Sequence, residues 1–502
     1  MFWSSFDAAT LINLSIAIPL IGGVLVLLTG KIPNLREAAS LATAFILFTL
    51  VLEITQRIFA GEAMSTTWVE LFPGIGLSFD IEPLGVVFAI VASALWPVTT
   101  IYAIGYMRGH NEENQTRFFF CFALAISSVM AICFSGNLLT LFVFYEVLTL
   151  STYPLVTHAG TDAAKQGGRV YLGILISTSI AFLLLAILGT WQVAGTLDFT
   201  PGGVFANADG APILGILLVL FCYGIGKAAL MPFHRWLPAA MVAPTPVSAL
   251  LHAVAVVKAG VFSVLKVVIY IFGLEQLKEI SLTDVMLYIA ATTVLLSSCI
   301  AMTKDNLKAR LAYSTVSQLS YITVGALLAS PIAAAGATMH IATHAVGKIT
   351  LFFCAGAIMV ASHKKNISDM VGLGRKMPLT MGAFAIGAIS IIGLPPMAGT
   401  WSKWYLTIGA LDADKLVIVA VLMISSLLNI AYLLPIPMKA FFNQTDSASR
   451  PWTWGEVQEA PVAILIAIGI TSFSCVALFF FPQPLIELVN LIPGVSTTQG
   501  GQ

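Results

Sequence analysis

The sequence predicts an all-α polytopic membrane protein of about fourteen transmembrane helices, with two inverted five-helix repeats that each contain one broken helix. Three observations predict it. Charged residues make up 10% of the 502-residue chain and hydrophobic residues 58%, whereas soluble domains carry roughly 25% charged residues. Apolar runs of about 20 residues, enough to cross the hydrocarbon core, recur along the whole chain. Lys and Arg are shared very unevenly between two alternating sets of loops, which is the signature of membrane orientation.

The runs fall near 9–29, 38–58, 83–107, 117–135, 137–159, 169–194, 212–239, 247–273, 283–302, 306–329, 331–361, 378–411, 415–440 and 460–482. The first run has no Lys or Arg ahead of it, unlike a cleaved signal peptide, and is expected to be a span. The tightest junctions are Ser135–Asn137 and Ser330–Pro331, where two spans meet with almost no loop. Of the 24 Lys and Arg residues, sixteen lie in one set of loops and three (Arg57, Lys278 and Lys415) in the other. The lysine-rich set is expected to be cytoplasmic. An even number of spans then puts both termini outside.

Five basic residues remain within spans: Lys227, Lys258, Lys266, Lys348 and Lys403. Among the acids only Glu146 lies in the middle of a span. Glu53 and Glu82 sit at span ends and are expected to reach the interface. Spans four to eight (117–273) and nine to thirteen (283–440) form two blocks of five, flanked by the first three spans (1–116) and by the fourteenth with a polar tail (441–502). An odd number of spans per block forces the two blocks into opposite orientation. The fourth span of each block is interrupted. In the first, Pro232, Pro238, Pro244 and Pro246 follow Lys227; in the second, Gly393, Pro395, Pro396 and Gly399 precede Lys403. Proline removes a backbone donor, and lipid does not tolerate the resulting gaps without protein or water cover. Paired interrupted helices in matching positions of inverted repeats point to a transport site.

The intramembrane ionisable residues carry the chemistry. A charged side chain at bilayer depth costs about 2.5–3.5 kcal/mol on insertion scales, so it is retained for a reason. Buried, a carboxylate favours its protonated form and an amine its neutral form; opposed, as Glu146 and Lys227 are expected to be, each restores the other's charge. A static ion pair fastening two helices is the plainer alternative. Lys258 has His252 six residues before it, while Lys266 is near its span's end and is expected to snorkel to the interface. His340, His344 and Lys348 are spaced by four and share one helical stripe. Imidazoles titrate near neutral pH and pass protons through either ring nitrogen. As metal ligands the two histidines lack a companion Cys or acid in the helix, so a proton relay is the better reading and no metal is expected. Lys403 is deep if the prolines before it sit at mid-membrane; otherwise it is an interfacial lysine beside Trp401 and Trp404.

The remaining composition narrows the class. Cys121, Cys133, Cys222, Cys299, Cys354 and Cys475 all lie in apolar runs and never as CxxC, so they are expected to be buried, unpaired thiols. No phosphate-binding loop, dinucleotide fingerprint, haem or cluster ligand set is present, and no cofactor is expected. A net charge of zero gives no reason to expect nucleic acid.

Three stretches carry a family resemblance: SGNLLTLFVFYEVLTLSTYPLV, KAALMPFHRWLPAAMVAPTPVSALLHAVAVVKAGVF and GLPPMAGTWSKWYL. They resemble the antiporter-like subunits of respiratory complex I and of Mrp-type multisubunit cation/proton antiporters. The resemblance implies fourteen helices, two inverted five-helix repeats and a mid-membrane hydrophilic axis. In that axis Glu146, Lys227, Lys258 and Lys403 occupy the positions used for proton translocation. HAVAVVKAG and the lysine at 403 are most similar to the D subunit of Mrp antiporters. The longest relatives add a lateral helix after the fourteenth span, so this chain, ending at Gln502, is expected to be of another type. Thr400 departs from the aromatic residue common in relatives, a place Trp401 is expected to fill. The implied function is a proton-translocating subunit of a Na⁺/proton antiporter in a bacterial inner membrane, partnered by other membrane subunits. The alternatives are a pump module of a complex I-like NADH-quinone oxidoreductase or hydrogenase, and a membrane subunit partnering a soluble bicarbonate-forming enzyme.

Overall fold

The computed structural model describes residues 2–72, 74–206, 211–442 and 457–498, with Ala211 and His252 described by backbone alone. Helices α1 (Ala8–Leu28) and α2 (Pro33–Phe59) lead into an antiparallel hairpin, β1 (Ser65–Phe72) and β2 (Ile75–Asp80). Then follow α3 (Pro83–Gly109), α4 (Gln115–Cys133), α5 (Leu138–Val156), α6 (Asp162–Ala194) and α7 (Ala211–Gly224). The second part comprises α8 (Val256–Val267), α9 (Ser281–Thr303), α10 (Leu307–Leu327), α11 (Pro331–Ser362), α12 (Pro378–Ile392), α13 (Gly399–Asp412), α14 (Leu416–Phe442) and α15 (Val462–Phe480). This is the all-α polytopic membrane architecture expected.

Ten helices among the described residues are long and apolar enough to cross a membrane: α1 to α6, α9, α11, α14 and α15. The other expected crossings fall short for identifiable reasons. Helices α7 and α12 are apolar but end early, each being the first half of an interrupted helix. Helix α8 is the regular middle of a segment with π turns at Leu250–Val254 and Val268–Phe272. Helix α10 carries Ser314, Ser317, Gln318 and Ser320, which lower its apolarity but are all buried within the bundle. The two tight junctions are four- and three-residue turns, Phe134–Asn137 and Leu328–Ser330.

The hairpin is an element the sequence reading did not assign. Asn137 explains its position. Its Oδ1 accepts from Thr140 N at 2.8 Å, capping α5, while its Nδ2 donates to Gly76 O at 2.8 Å and Ser78 Oγ at 2.7 Å. One side chain thus caps a helix and holds the hairpin over the α4–α5 turn.

Helix α11 is the hub, packed against α3, α10, α12, α13 and α15. Its opening PIAAAGATMH lets α13 approach closely: a Cβ on Gly336 would meet the backbone of Ser402 and Leu406. Outward faces of α1, α6, α14 and α15 expose large apolar side chains such as Leu20, Leu188, Leu427 and Phe473, as lipid contact requires. Cys299 corrects one expectation. It lies on the outer face of α9 and is exposed, whereas the other five cysteines are buried; an apolar run in a membrane helix has a lipid side as well as a packed side.

Candidate functional site

At the first break, α7 ends at Gly224 and the chain turns through Gly226–Ala228, with Ala229 left-handed at φ +58°. Lys227, fully buried, sits in that turn. Its backbone N–H donates to the Tyr145 hydroxyl at 3.0 Å, replacing the lost ladder bond. Its ammonium donates to Tyr145 O at 2.8 Å and Thr149 Oγ1 at 2.6 Å, and lies over the Tyr145 ring at 3.1 Å. Trp236 Nε1 donates to Gly226 O at 2.9 Å from beyond the break. Helix α8 crosses the turn at Gly260, where a Cβ would strike the backbone of Lys227 and Ala228.

Two residues before that glycine, Lys258 reaches across to α11. Its Nζ is 2.6 Å from His344 Nδ1, both groups buried. One turn along α11, the ring of His340 lies 5.6 Å from that of His344 and 5.9 Å from that of Tyr321. His340 Nδ1 is 2.8 Å from Ser402 Oγ, and Ser402 also pairs with Thr343 Oγ1 at 2.9 Å. Lys348, the third member of the stripe, turns toward α10 instead, donating to Ser314 Oγ at 2.7 Å; Tyr432 donates to the same oxygen at 2.9 Å. The His252 side chain lies outside the described residues.

At the second break, α12 ends at Ile392 and Gly393 adopts φ +88°. The carbonyl of Ile392 would ordinarily accept from the residue four positions on, which is Pro396 and has no N–H. Lys403 fills the role: its Nζ donates to Ile392 O at 3.0 Å and to Ser426 Oγ at 3.4 Å, with the Tyr321 ring 4.7 Å away. Lys403 is therefore held inside the bundle and is not an interfacial lysine. It borders a cleft of about 570 Å³ that opens between α13 and α14 past Trp404. Trp401 points the other way, onto α15, where its Nε1 donates to Phe479 O at 2.9 Å. A second cavity, of about 410 Å³, opens on the lysine-rich side between Tyr106, His110, Glu112, Thr245 and Lys308.

Three expectations are corrected. Glu146 makes no ion pair with Lys227 among the described residues; both its carboxylate oxygens are buried without a hydrogen-bond partner. Successive helical residues point about 100° apart, whereas positions four apart share a face. Lys227 docks on the Tyr145/Thr149 face of α5, a face that Glu146 does not share. Lys266 does not snorkel. It is fully buried, donates to Ser135 O at 2.5 Å and pairs with Glu82 Oε2 at 3.3 Å. Glu82 is likewise buried, against that lysine, rather than exposed at its span end. The sequence reading also passed over Tyr145, Thr149, Ser314, Tyr321 and Ser402. Thr149 and Ser402 had a weak signal, polar residues near a buried lysine or acid; the aromatic partners had none.

The interrupted helices, each with a buried lysine against it, put the chain among polytopic membrane transport proteins with discontinuous helices. Residues 135–429 match the family described as NADH:quinone oxidoreductase/Mrp antiporter, transmembrane. The chain belongs to that family. It is 33% identical over 429 residues to NADH-quinone oxidoreductase subunit N of Desulforudis audaxviator, covering 83% of this chain and 84% of the relative. It is 35% identical over 347 residues to a probable K⁺/H⁺ antiporter component of Rhizobium meliloti, covering 67% of this chain but 33% of that longer relative. In three dimensions it is similar to a chain of the Mrp complex from Dietzia sp. DQ12-45-1b, with a TM-score of 0.85. A chain of the archaeal membrane-bound sulfane sulfur reductase gives 0.84; each has 22% identity over 96% of both chains. The chain is thus a membrane subunit of the Mrp antiporter and complex I-like family.

Proposed function

We propose that this chain is the proton-translocating subunit of a multisubunit monovalent cation/proton antiporter of a bacterial plasma membrane, with Na⁺ moved by the assembled complex. Fourteen crossings, inverted repeats at 117–273 and 283–440, and both termini outside complete the arrangement. A proton enters at the lysine-rich cavity and is held on Lys227 or Lys258. It then crosses to α11 through His344, with His252 contributing near Lys258. It passes by His340 and Ser402, and leaves beyond Lys403. Glu146 biases the occupancy of Lys227 by its charge, and Lys348 sets a side branch toward Ser314. The observation that carries the reading is the 2.6 Å contact between Lys258 Nζ and His344 Nδ1, which joins two titratable groups from the two halves of the chain across the bundle centre.

The buried titratable groups argue against a non-conducting scaffold, because each costs insertion energy. A second reading, a proton-pumping subunit of a complex I-like oxidoreductase, is favoured by the 33% identity to the Desulforudis oxidoreductase component, which extends over most of both chains. Partners of the purified complex discriminate the two: small Mrp-type membrane subunits support the antiporter, iron–sulfur and quinone-site subunits the oxidoreductase. Lys227→Ala and Glu146→Ala in antiporter-deficient cells test the relay itself. Sodium resistance and vesicle proton flux at wild-type level in both variants would remove it.

A further inference from the structure

One buried ion pair plays no part in the path above. Lys266 lies on α8, eight residues beyond Lys258 and so about 12 Å along the same helix. Its ammonium meets Glu82 Oε2 at 3.3 Å, Ser135 O at 2.5 Å and the Phe199 ring at 4.4 Å. Glu82 is the N-cap of α3 but makes no side-chain cap bond; its carboxylate is turned inward to Lys266. Two residues earlier, Asp80 ends the hairpin and is exposed, with its backbone N–H on Phe134 O at 2.8 Å. The order from the surface inward is therefore Asp80, Glu82, Lys266, Lys258: one exposed carboxylate and three buried ionisable groups, on the side of the chain that holds Arg57, Lys278 and Lys415.

A pair that only fastened the hairpin would need its remaining lone pairs and protons satisfied to offset the cost of burying two charges. This pair does not meet that condition. Glu82 Oε2 lies near Lys266 without hydrogen-bond geometry, and the neighbouring Tyr270 hydroxyl, also buried, has no partner among the described residues. Both atoms are disposed to bind water beside an ion pair. The hairpin is already held without the pair, by Asn137 and by Gly136 N on Ser78 O at 2.9 Å. The titratable groups around Lys266 are Glu82 and Asp80 from the hairpin end and α3, Tyr270 from its own segment and Cys133 from α4.

We infer that Glu82 and Lys266 form the proton port of α8 on the lysine-poor side, exchanging protons between Asp80 at the surface and Lys258 at the bundle centre. The inference rests on the relay proposed above. A proton passes from the Lys266 ammonium to the Glu82 carboxylate, leaving a neutral amine and a neutral acid, and the acid then gives it up toward Asp80 through water. Initial proton flux in vesicles bearing the whole complex tests it. Lys266→Arg keeps the ion pair, but a guanidinium does not deprotonate. The Glu82→Gln/Lys266→Gln double variant keeps polar contacts without charge. The expected result for either variant, assembled at wild-type level, is a loss of flux of at least about tenfold. Flux above half of wild type in an assembled variant overturns the port, and so does failure of both variants to assemble, which assigns the pair to fastening the hairpin. Lys258→Met in the same vesicles separates the failures: if it loses flux while Lys266→Arg does not, the port alone is wrong; if neither loses flux, the relay is wrong.

Discussion

Replacing Lys258 isolates the contact between the two halves of the chain. Lys258→Met keeps the length of a flexible side chain and removes the amine, leaving His344 Nδ1 without the group 2.6 Å away. A hydrogen bond to a charged group contributes about 1.5–3 kcal/mol. If that coupling sets the barrier to transfer, and each 1.36 kcal/mol is about tenfold in rate, flux falls by about 10- to 150-fold. The assay is the initial rate of fluorescence quenching in everted vesicles from antiporter-deficient cells, normalised to assembled protein. Lys258→Arg is the decisive companion. Arginine donates to imidazole as lysine does but does not release its proton near neutral pH. A structural contact therefore survives that change and a relay does not. His344→Ala combined with Lys258→Met should lose no more flux than either alone, because both interrupt one step. Flux in Lys258→Arg above half of wild type would refute the reasoning.

Other consequences follow from individual contacts. Thr149→Val removes one of the two oxygens holding the Lys227 ammonium and should destabilise the detergent-solubilised protein by about 1–3 kcal/mol, read as a lower thermal midpoint. Gly260→Ala drives a Cβ into the backbone of the Lys227 turn and should cost about 1–3 kcal/mol as an overpacked crossing. Gly382→Ala, with nothing within 4 Å, should stabilise α12 by roughly 0.5–1 kcal/mol. Equal midpoints for the two glycine variants would contradict the packing. Burial raises the Glu112 carboxyl above its ordinary value of 4.5, against the opposing pull of His110 and Lys308. The folded state then holds that proton more tightly than the unfolded one, so the contribution is present below pH 4.5 and declines as pH rises through the folded value. Glu112→Gln should flatten this decline in midpoint against pH, and an unchanged slope would count against it.

How much was legible in the sequence depended on whether the signal was local. Span positions came from apolar run length, and the breaks from prolines that cannot donate to a helix ladder; both are properties of the segment itself. The charged residues within spans stood out for the same reason. Which group each one met was not legible, because that depends on rotation about helices whose packing the chain alone does not state. Glu146 matches Lys227 in charge, but the lysine docks on the carbonyl and ring of Tyr145 and the hydroxyl of Thr149. Lys266 lies near a span end in the sequence, whereas the residue that claims it, Glu82, is 184 positions away. The hairpin escaped because its anchor is a helix cap, Asn137, whose second amide function shows only in three dimensions.

The two breaks also share an economy of polar groups. At the first, the Lys227 N–H that leaves the ladder is taken by the Tyr145 hydroxyl. At the second, the Ile392 carbonyl orphaned by Pro396 is taken by the Lys403 amine. A lysine that loses its proton still carries N–H donors, so either break stays satisfied through a cycle of protonation. This makes Lys258, which sits at neither break, and Lys403 unequal in stability. When Lys258 is lost, His344 Nδ1 can change tautomer and find another partner. When Lys403 is lost, Ile392 O has no backbone donor to return to, and a buried orphaned carbonyl costs about 1–3 kcal/mol. Lys403→Met should therefore lower the thermal midpoint more than Lys258→Met, even where both abolish flux. Equal midpoints, or the reverse order, would show that the second break does not depend on its lysine.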